Sequence, residues 1–202
     1  MNLEELEKQV TLMEDIQEIE TLQRRYAYYF DSHQWQNIVD LFSDSTEYVE
    51  LESVGRFLGK EGVKRLYYDH VGRKGEPTPP WILYLILQIG GVVDVDPDGK
   101  TAYGRWQTLL PEVMPYAGIL RQQWLHGYYE NKYVKEGGRW MFSRLDWNVT
   151  FYTTYENGWL IQPLLGSLWN PEAKADAHSI NFYPYPSGYH FPYHYKHPIT
   201  GK

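Results

Sequence analysis

Between residues 3 and 30 the apolar side chains fall at Leu6, Val10, Met13, Ile16, Ile19, Leu22 and Tyr26. Steps of three and four predict one long amphipathic helix with charged residues on its other face. A short second helix is predicted over residues 35–42, ended by Ser43-Asp44-Ser45. Residues 47–52 predict a strand and residues 59–68 a third helix, while residues 72–80, with two glycines and three prolines, predict a loop. Residues 81–95 and 101–110 predict a strand pair turned at Asp96-Pro97-Asp98-Gly99, and residues 111–118 another loop. The clearest pattern lies in residues 124–159, where two long β-prone runs, 124–135 and 139–152, meet at Glu136-Gly137-Gly138. Glycine accepts the positive φ of a tight hairpin turn. Helices first and antiparallel strands after give an α+β plan, with helices on one face of a curved sheet. A deep cavity between the two layers is the expected ligand site.

Composition narrows this picture. A chain of 202 residues fits one domain, expected over residues 1–160, with an extension over residues 161–202. That extension is punctuated by Pro163, Pro171, Pro184, Pro186, Pro192 and Pro198 and is dense in Tyr, Phe and His. It is expected to run extended and to dock its aromatics on its own domain or on a neighbouring subunit. Hydrophobic residues at 43% and aromatics at 17% supply ample core. A net charge of −7 and a pI near 5.5 argue against nucleic acid. The longest apolar run, residues 81–87, is strand-sized, so no membrane span is expected. Met1 opens directly into a charged helix, which leads to an expectation of a cytoplasmic protein. The absence of cysteine excludes disulfides, thiolate catalysis and thiolate metal sites. No dinucleotide or phosphate-loop motif is present, and the tail histidines His178, His190, His194 and His197 lack ligand spacing, so neither coenzyme nor metal is expected. The Leu6–Val10–Met13 stripe and the aromatic tail both call for cover, which a homodimer or homotrimer would give.

Several segments resemble one family. YAYYFDSHQWQNIVDLF (residues 26–42), VVDVDPDGKTAYGRW (92–106), GYYENKYV (127–134), TFYTTYENGW (150–159) and the terminal HFPYHYKHPITGK are similar, in order, to SnoaL-like proteins of the NTF2-like (nuclear transport factor 2-like) superfamily. The resemblance implies a cone: a curved antiparallel sheet wrapped around N-terminal helices. It extends to scytalone dehydratase and a bile-acid dehydratase, and to lyases that release formaldehyde from lignin-derived diaryl compounds. It implies a lyase without metal or coenzyme, acting on a hydrophobic, hydroxylated aromatic small molecule. In those dehydratases a first-helix carboxylate orients a histidine from the sheet, with tyrosines nearby. Asp31 matches the carboxylate and Tyr26 the helical tyrosine. The sheet histidine falls at Ile86 or Leu87 here, and neither can move a proton. A non-catalytic binder, or an isomerase or hydrolase on the same cone, are therefore the alternatives.

The residues themselves leave two readings each. Asp31 ends a helix, so it is either a cap or a pocket carboxylate raised in pKa by burial. Tyr29 belongs to the same aromatic cluster as Tyr26. Tyr48 and Glu50 share one strand face; if that face looks inward, Glu50 becomes a second carboxylate opposite Asp31, and the two split in pKa. Gln88 interrupts an apolar strand and is expected to read ligand oxygens. Arg105 either balances a ligand anion or lies on the surface. Along residues 126–133 the set Tyr129, Asn131 and Tyr133 is the better inward candidate, which puts His126 outside. Trp147 and Tyr152 line the pocket or fill the core. His194 or Tyr195 would reach the chemistry if the tail folds over the pocket.

Overall fold

The computed structural model describes residues 2–51, 54–164, 173–179 and 183–202. The expected strand end at Glu52 and the tail residue Pro171 lie outside the described residues.

Helix α1 (Leu3–Asp31) starts at a reciprocal cap: the Asn2 side chain accepts from Glu5 N–H at 2.8 Å, and the Glu5 carboxylate accepts from Asn2 N–H at 2.9 Å. It ends because His33 adopts a positive φ of 58° and its N–H turns back to Phe30 O at 3.1 Å. Residues 2–14 are exposed, so the Leu6–Val10–Met13 stripe stands clear of the body. Farther along, Ile19, Leu22, Gln23, Tyr26, Ala27 and Phe30 are buried. Asp15 fixes the helix to the sheet, accepting from Trp140 Nε1 at 2.8 Å and Lys135 Nζ at 2.6 Å. Among the described residues, no helix is long and apolar enough to cross a membrane.

Helix α2 (Trp35–Asp40) follows, then strands β1 (Tyr48–Leu51) and β2 (Gly55–Leu58), the latter unforeseen in the sequence. Helix α3 (Gly59–Lys64) continues as a π-helical turn over Arg65–Val71. The strand expected over residues 81–95 is split into β3 (Leu83–Tyr84) and β4 (Leu87–Val95). Strands β5 (Thr101–Tyr116), β6 (Ile119–Glu136) and β7 (Arg139–Thr154) form a long meander, and a short α4 (Gly158–Ile161) follows. The sheet runs β2-β1-β7-β6-β5-β3, with β4 also on β5; β1 and β7 are parallel and the other pairs antiparallel. The α+β class and the curved, unclosed sheet are therefore as expected.

The loop expected over residues 111–118 is instead strand. Proline lacks a ladder donor, which is what argued against a strand there. The split of the edge removes the conflict: β4 pairs with β5 as far as Leu109, β3 resumes at Glu112, and Pro111 falls in the gap. Pro115 lies past the end of β3, paired only with Leu120 at the hairpin tip.

At the β6–β7 pair the register shifts between His126 and Gly127. A Cβ on Gly127 would lie 2.1 Å from Asn148 O and 3.0 Å from the Trp147 ring. The missing side chain thus admits the indole to the helix-covered face. Gly127→Ala should destabilise by about 2–3 kcal/mol, the upper part of the overpacking range, because backbone must move. Urea unfolding measures this, and an unchanged midpoint would show that the bulge opens freely.

From Ala173 on, the described tail residues add no strand to the sheet. Ala177 bridges Arg56, and Asp176 accepts from Leu58 N–H at 2.7 Å.

Candidate functional site

Side-chain alternation sorts the expected residues into two faces of the sheet. On the helix-covered face, Tyr129, Asn131 and Tyr133 point at α1, as their alternation predicts. The Tyr129 hydroxyl lies 3.5 Å from that of Tyr26, and Asn131 Nδ2 and the Tyr133 hydroxyl donate to Gln23 Oε1 at 3.0 and 2.8 Å. Asn131 also accepts from Asp146 N–H at 3.2 Å, so this amide is held by the fold and is not free for a ligand.

Tyr26, Tyr67 and Tyr129 form a buried tyrosine cluster, with 3.1 Å between the Tyr26 and Tyr67 hydroxyls. Trp147 lies against Tyr129 with ring centres 4.6 Å apart, and Tyr29 packs partly buried on the same core. Burial raises the phenol pKa of all three tyrosines. They are neutral hydrogen-bond donors near pH 7, and a base must be sought elsewhere.

Asp31 turns inward. Its carboxylate accepts from Ile86 N–H at 2.8 Å, and burial raises its pKa against the lowering effects of that bond and of His33. Ile86, one of the two residues at which the resemblance puts the dehydratases' histidine, thus meets Asp31, but through its backbone. The nearest imidazole is that of His33, stacked on Trp35 at 5.7 Å, with burial lowering its pKa and Asp31 opposing. His33 is not among the residues expected from the sequence; the Asp31-Ser32-His33 spacing is the signal that could have found it.

A second carboxylate is present, and it is Glu112. The side chain is buried on the same face as Trp106, Thr108 and Leu110, accepts from the Tyr152 hydroxyl at 2.7 Å, and has its pKa raised by burial to about 7, the Tyr152 bond opposing. Tyr84, paired in register with Glu112, packs edge-on against Phe30 at 5.0 Å, and Phe30 is the residue of α1 immediately before Asp31. Glu112 escaped the sequence reading because Pro111 ended the predicted strand just before it; continuing the two-residue period from Trp106 would have found it.

On the same face of the sheet as Glu112 lie polar atoms that the protein does not satisfy. Both amide atoms of Gln88, Thr108 Oγ1 and Gln123 Oε1 are buried without a hydrogen-bond partner among the described residues. Gln88 pairs in register with Thr108, and Gln123 with Glu112, which puts all of them on the helix-covered face. Each such group costs about 1–3 kcal/mol if left dry, so their occurrence on the face that carries Glu112 and Tyr152 offers partners to ligand oxygens.

Other expectations are corrected. Tyr48 and Glu50 face away from α1, because Val49 between them is the residue in the core. Glu50 pairs with Arg56, and the Tyr48 hydroxyl donates to Asp146 at 3.0 Å. Glu50 is therefore no counterpart of Asp31. Arg105 lies on that opposite face, its Nη1 2.7 Å from Glu130. His194 bonds Glu130 there, and Tyr195 packs on His194 and Tyr193. The tail thus crosses the wrong face to serve Asp31. The deep cavity is also corrected: the expected lining is buried or half-buried, and grooves of about 760, 510 and 440 Å³ lie elsewhere, none lined by Asp31, Tyr129 or Glu112. The 440 Å³ groove, lined by His33, Trp35 and Tyr68, adjoins the end of α1. Among the described residues no three His, Asp or Glu side chains gather to hold a metal ion.

The comparisons with known proteins agree on the fold. Residues 11–146 match the SnoaL-like domain family. A crystal structure provisionally named scytalone dehydratase, from Novosphingobium aromaticivorans DSM 12444, is 20% identical, with 73% of this chain and 91% of that chain covered and a TM-score of 0.60. The hexachlorocyclohexane dehydrochlorinase LinA-type3 from Novosphingobium barchaimii LL02 is 17% identical, with 72% and 93% covered and a TM-score of 0.58. An NTF2-like protein with a cystatin-like fold, also from Novosphingobium aromaticivorans, is 16% identical, with 73% and 90% covered and a TM-score of 0.55. At such identities the likeness concerns the fold. No curated protein matches the sequence. The family match spans well over half of the chain, and the chain belongs to the SnoaL-like domain family.

Proposed function

We propose that this protein is a lyase that performs acid–base elimination on a hydrophobic, hydroxylated aromatic compound with its own side chains. The observation that carries the reading is the pair of inward carboxylates, Asp31 and Glu112, set among tyrosine hydroxyls and unsatisfied amides. Elimination needs a base at the acidic proton and an acid at the leaving oxygen. Asp31, whose carboxylate is held by Ile86 N–H, is the base. Glu112, at about 7, is still partly protonated near neutrality and supplies the leaving oxygen with a proton. The aromatic faces of Phe30, Tyr84, Tyr129 and Trp147 suit a flat substrate, and Gln88 and Thr108 suit its hydroxyl groups.

For a phenolic substrate the balance is simple. Loss of the phenol proton to Asp31 pushes electrons through the ring, the benzylic C–O bond breaks, and the oxygen leaves as water with the proton from Glu112. Where a CH₂OH group is carried beside the resulting quinone methide, loss of its O–H proton to the Glu112 carboxylate breaks the C–C bond, and Asp31 returns its proton to the phenolate. Formaldehyde is then released and the ring becomes aromatic again. The similarity to the dehydratase and dehydrochlorinase folds supports elimination as the reaction class. Screening lignin-derived diaryl alcohols and polyketide phenols by mass spectrometry tests it, with loss of water or formaldehyde expected. Hydrogen–deuterium exchange at a substrate carbon without net loss would replace the lyase by an isomerase.

A non-catalytic small-molecule carrier is the second reading, favoured by the aliphatic Ile86 and Leu87 where the resemblance puts the sheet histidine. Saturable binding across the whole panel with no product would select it.

A further inference from the structure

On the face of the sheet turned away from Asp31, the tail is pinned at two places. Tyr185 N–H donates to Thr150 O at 2.7 Å. Some seven residues later Arg105 Nη1 donates to Pro192 O at 3.0 Å and Phe191 O at 3.3 Å, and His194 lies between Glu130 and Asp94. Between these anchors lies a cavity of about 180 Å³. The sheet contributes Arg105, Tyr128 and Asn148 to its lining, and the tail contributes Tyr185, Tyr189 and Tyr193.

Its chemistry is specific. The Arg105 guanidinium lies 4.8 Å from the Tyr128 ring centre and 4.3 Å from that of Tyr193, so the positive group is held rigidly between two rings. The Asn148 amide nitrogen is buried and has no hydrogen-bond partner among the described residues. An apolar cavity of about 150 Å³ holds a benzene ring, so the space here is that of one aromatic ring with a small substituent. Tyrosine rings offer flat faces to such a ring, and a donor amide beside a guanidinium asks for an acceptor oxygen.

We propose that this cavity is a second ligand site, taking a single-ring aromatic molecule that carries an acceptor oxygen, such as a hydroxybenzoate or an aryl ketone. It is separate from the site proposed above and stands whether or not that reading does. Tyr128 and Asn148 pair in register on one face, while the next pair, Tyr129 and Trp147, occupies the other. The sheet itself lies between the two sites.

The test uses the full chain, with 4-hydroxybenzoate and the uncharged 4-hydroxyacetophenone as probes. Nuclear magnetic resonance should show a saturable shift of the Asn148 side-chain amide, while the Trp147 indole on the other face moves less. Calorimetry should give about a tenfold weaker affinity for Asn148→Leu, the loss of one hydrogen bond to a buried group. Tyr189→Ala, which opens the tail side of the cavity, should weaken binding at least as much, and it alters no sheet residue. Tighter binding of the carboxylate assigns a role to the Arg105 charge; equal affinity assigns recognition to the shared acceptor oxygen, and both support the site. No saturable shift at Asn148 with either probe, shifts confined to Trp147 and Tyr129, or unchanged affinity in both variants would overturn it.

Discussion

Asp31→Asn is expected to lower turnover by about 10²–10⁴-fold, the usual contribution of a positioned proton-transfer group, on whichever aromatic substrate the screen identifies. The substitution is chosen to separate chemistry from architecture. Asparagine keeps the volume and keeps an acceptor oxygen for Ile86 N–H, so the 2.8 Å bond that ties the end of α1 to the sheet edge survives. What is lost is the negative charge and the ability to accept a proton. Since burial already disfavours that charge, the neutral amide should leave thermal stability unchanged or slightly raised. Asp31→Ala provides the contrast, because it removes the acceptor as well and should lower both rate and stability. A rate for Asp31→Asn within a few fold of wild type would remove Asp31 from the mechanism and leave it as the cap that its position at the helix end also allows.

How far the sequence reveals this site depends on which interactions are local. The long helix α1, the Gly137-Gly138 hairpin and the inward set Tyr129–Asn131–Tyr133 were legible, because each rests on spacing within one element. Asp31 came from the resemblance, which put the sheet histidine at Ile86 or Leu87; the bond that Asp31 makes to Ile86 N–H is a backbone contact that no side-chain pattern announces. Three things were hidden because they depend on neighbours distant in sequence. Pro111 reads as a strand terminator unless one knows that the edge is split opposite it, and with it went Glu112. Glu50 can be read inward or outward from the two-residue period of its strand; only packing of Val49 into the core decides. The face on which the tail lies is set by Glu130 and Thr150, which nothing in the tail's own composition identifies.

Glu112→Gln should produce the second large effect, and it should depend on pH. Glu112 has a folded-state pKa of about 7 against an ordinary value of 4.5, because burial penalises the charged carboxylate. Between those values the folded protein holds a proton that the unfolded chain has released, so raising the pH favours unfolding. The wild type should therefore lose stability as the pH climbs from about 4.5 to about 7, by about 3 kcal/mol in all, at about 1.4 kcal/mol per unit, and change little from this group beyond. Glutamine cannot ionise but still offers Oε1 to the Tyr152 hydroxyl. The variant should match the wild type near pH 4 and melt about 6–12 °C higher at pH 8, at about 2–4 °C per kcal/mol for a chain of this length. Asp146, raised by burial to about 6, works in the same direction but is present in both proteins and cancels from the difference. The catalytic arm has the same origin: if Glu112 donates the proton to the leaving oxygen, wild-type rate falls as pH rises through about 7, and Glu112→Gln flattens that limb at a much lower rate. A stability gap that is constant across the pH range would mean that Glu112 is ionised in the fold, and the division of labour between the two inward carboxylates would have to be reversed or abandoned.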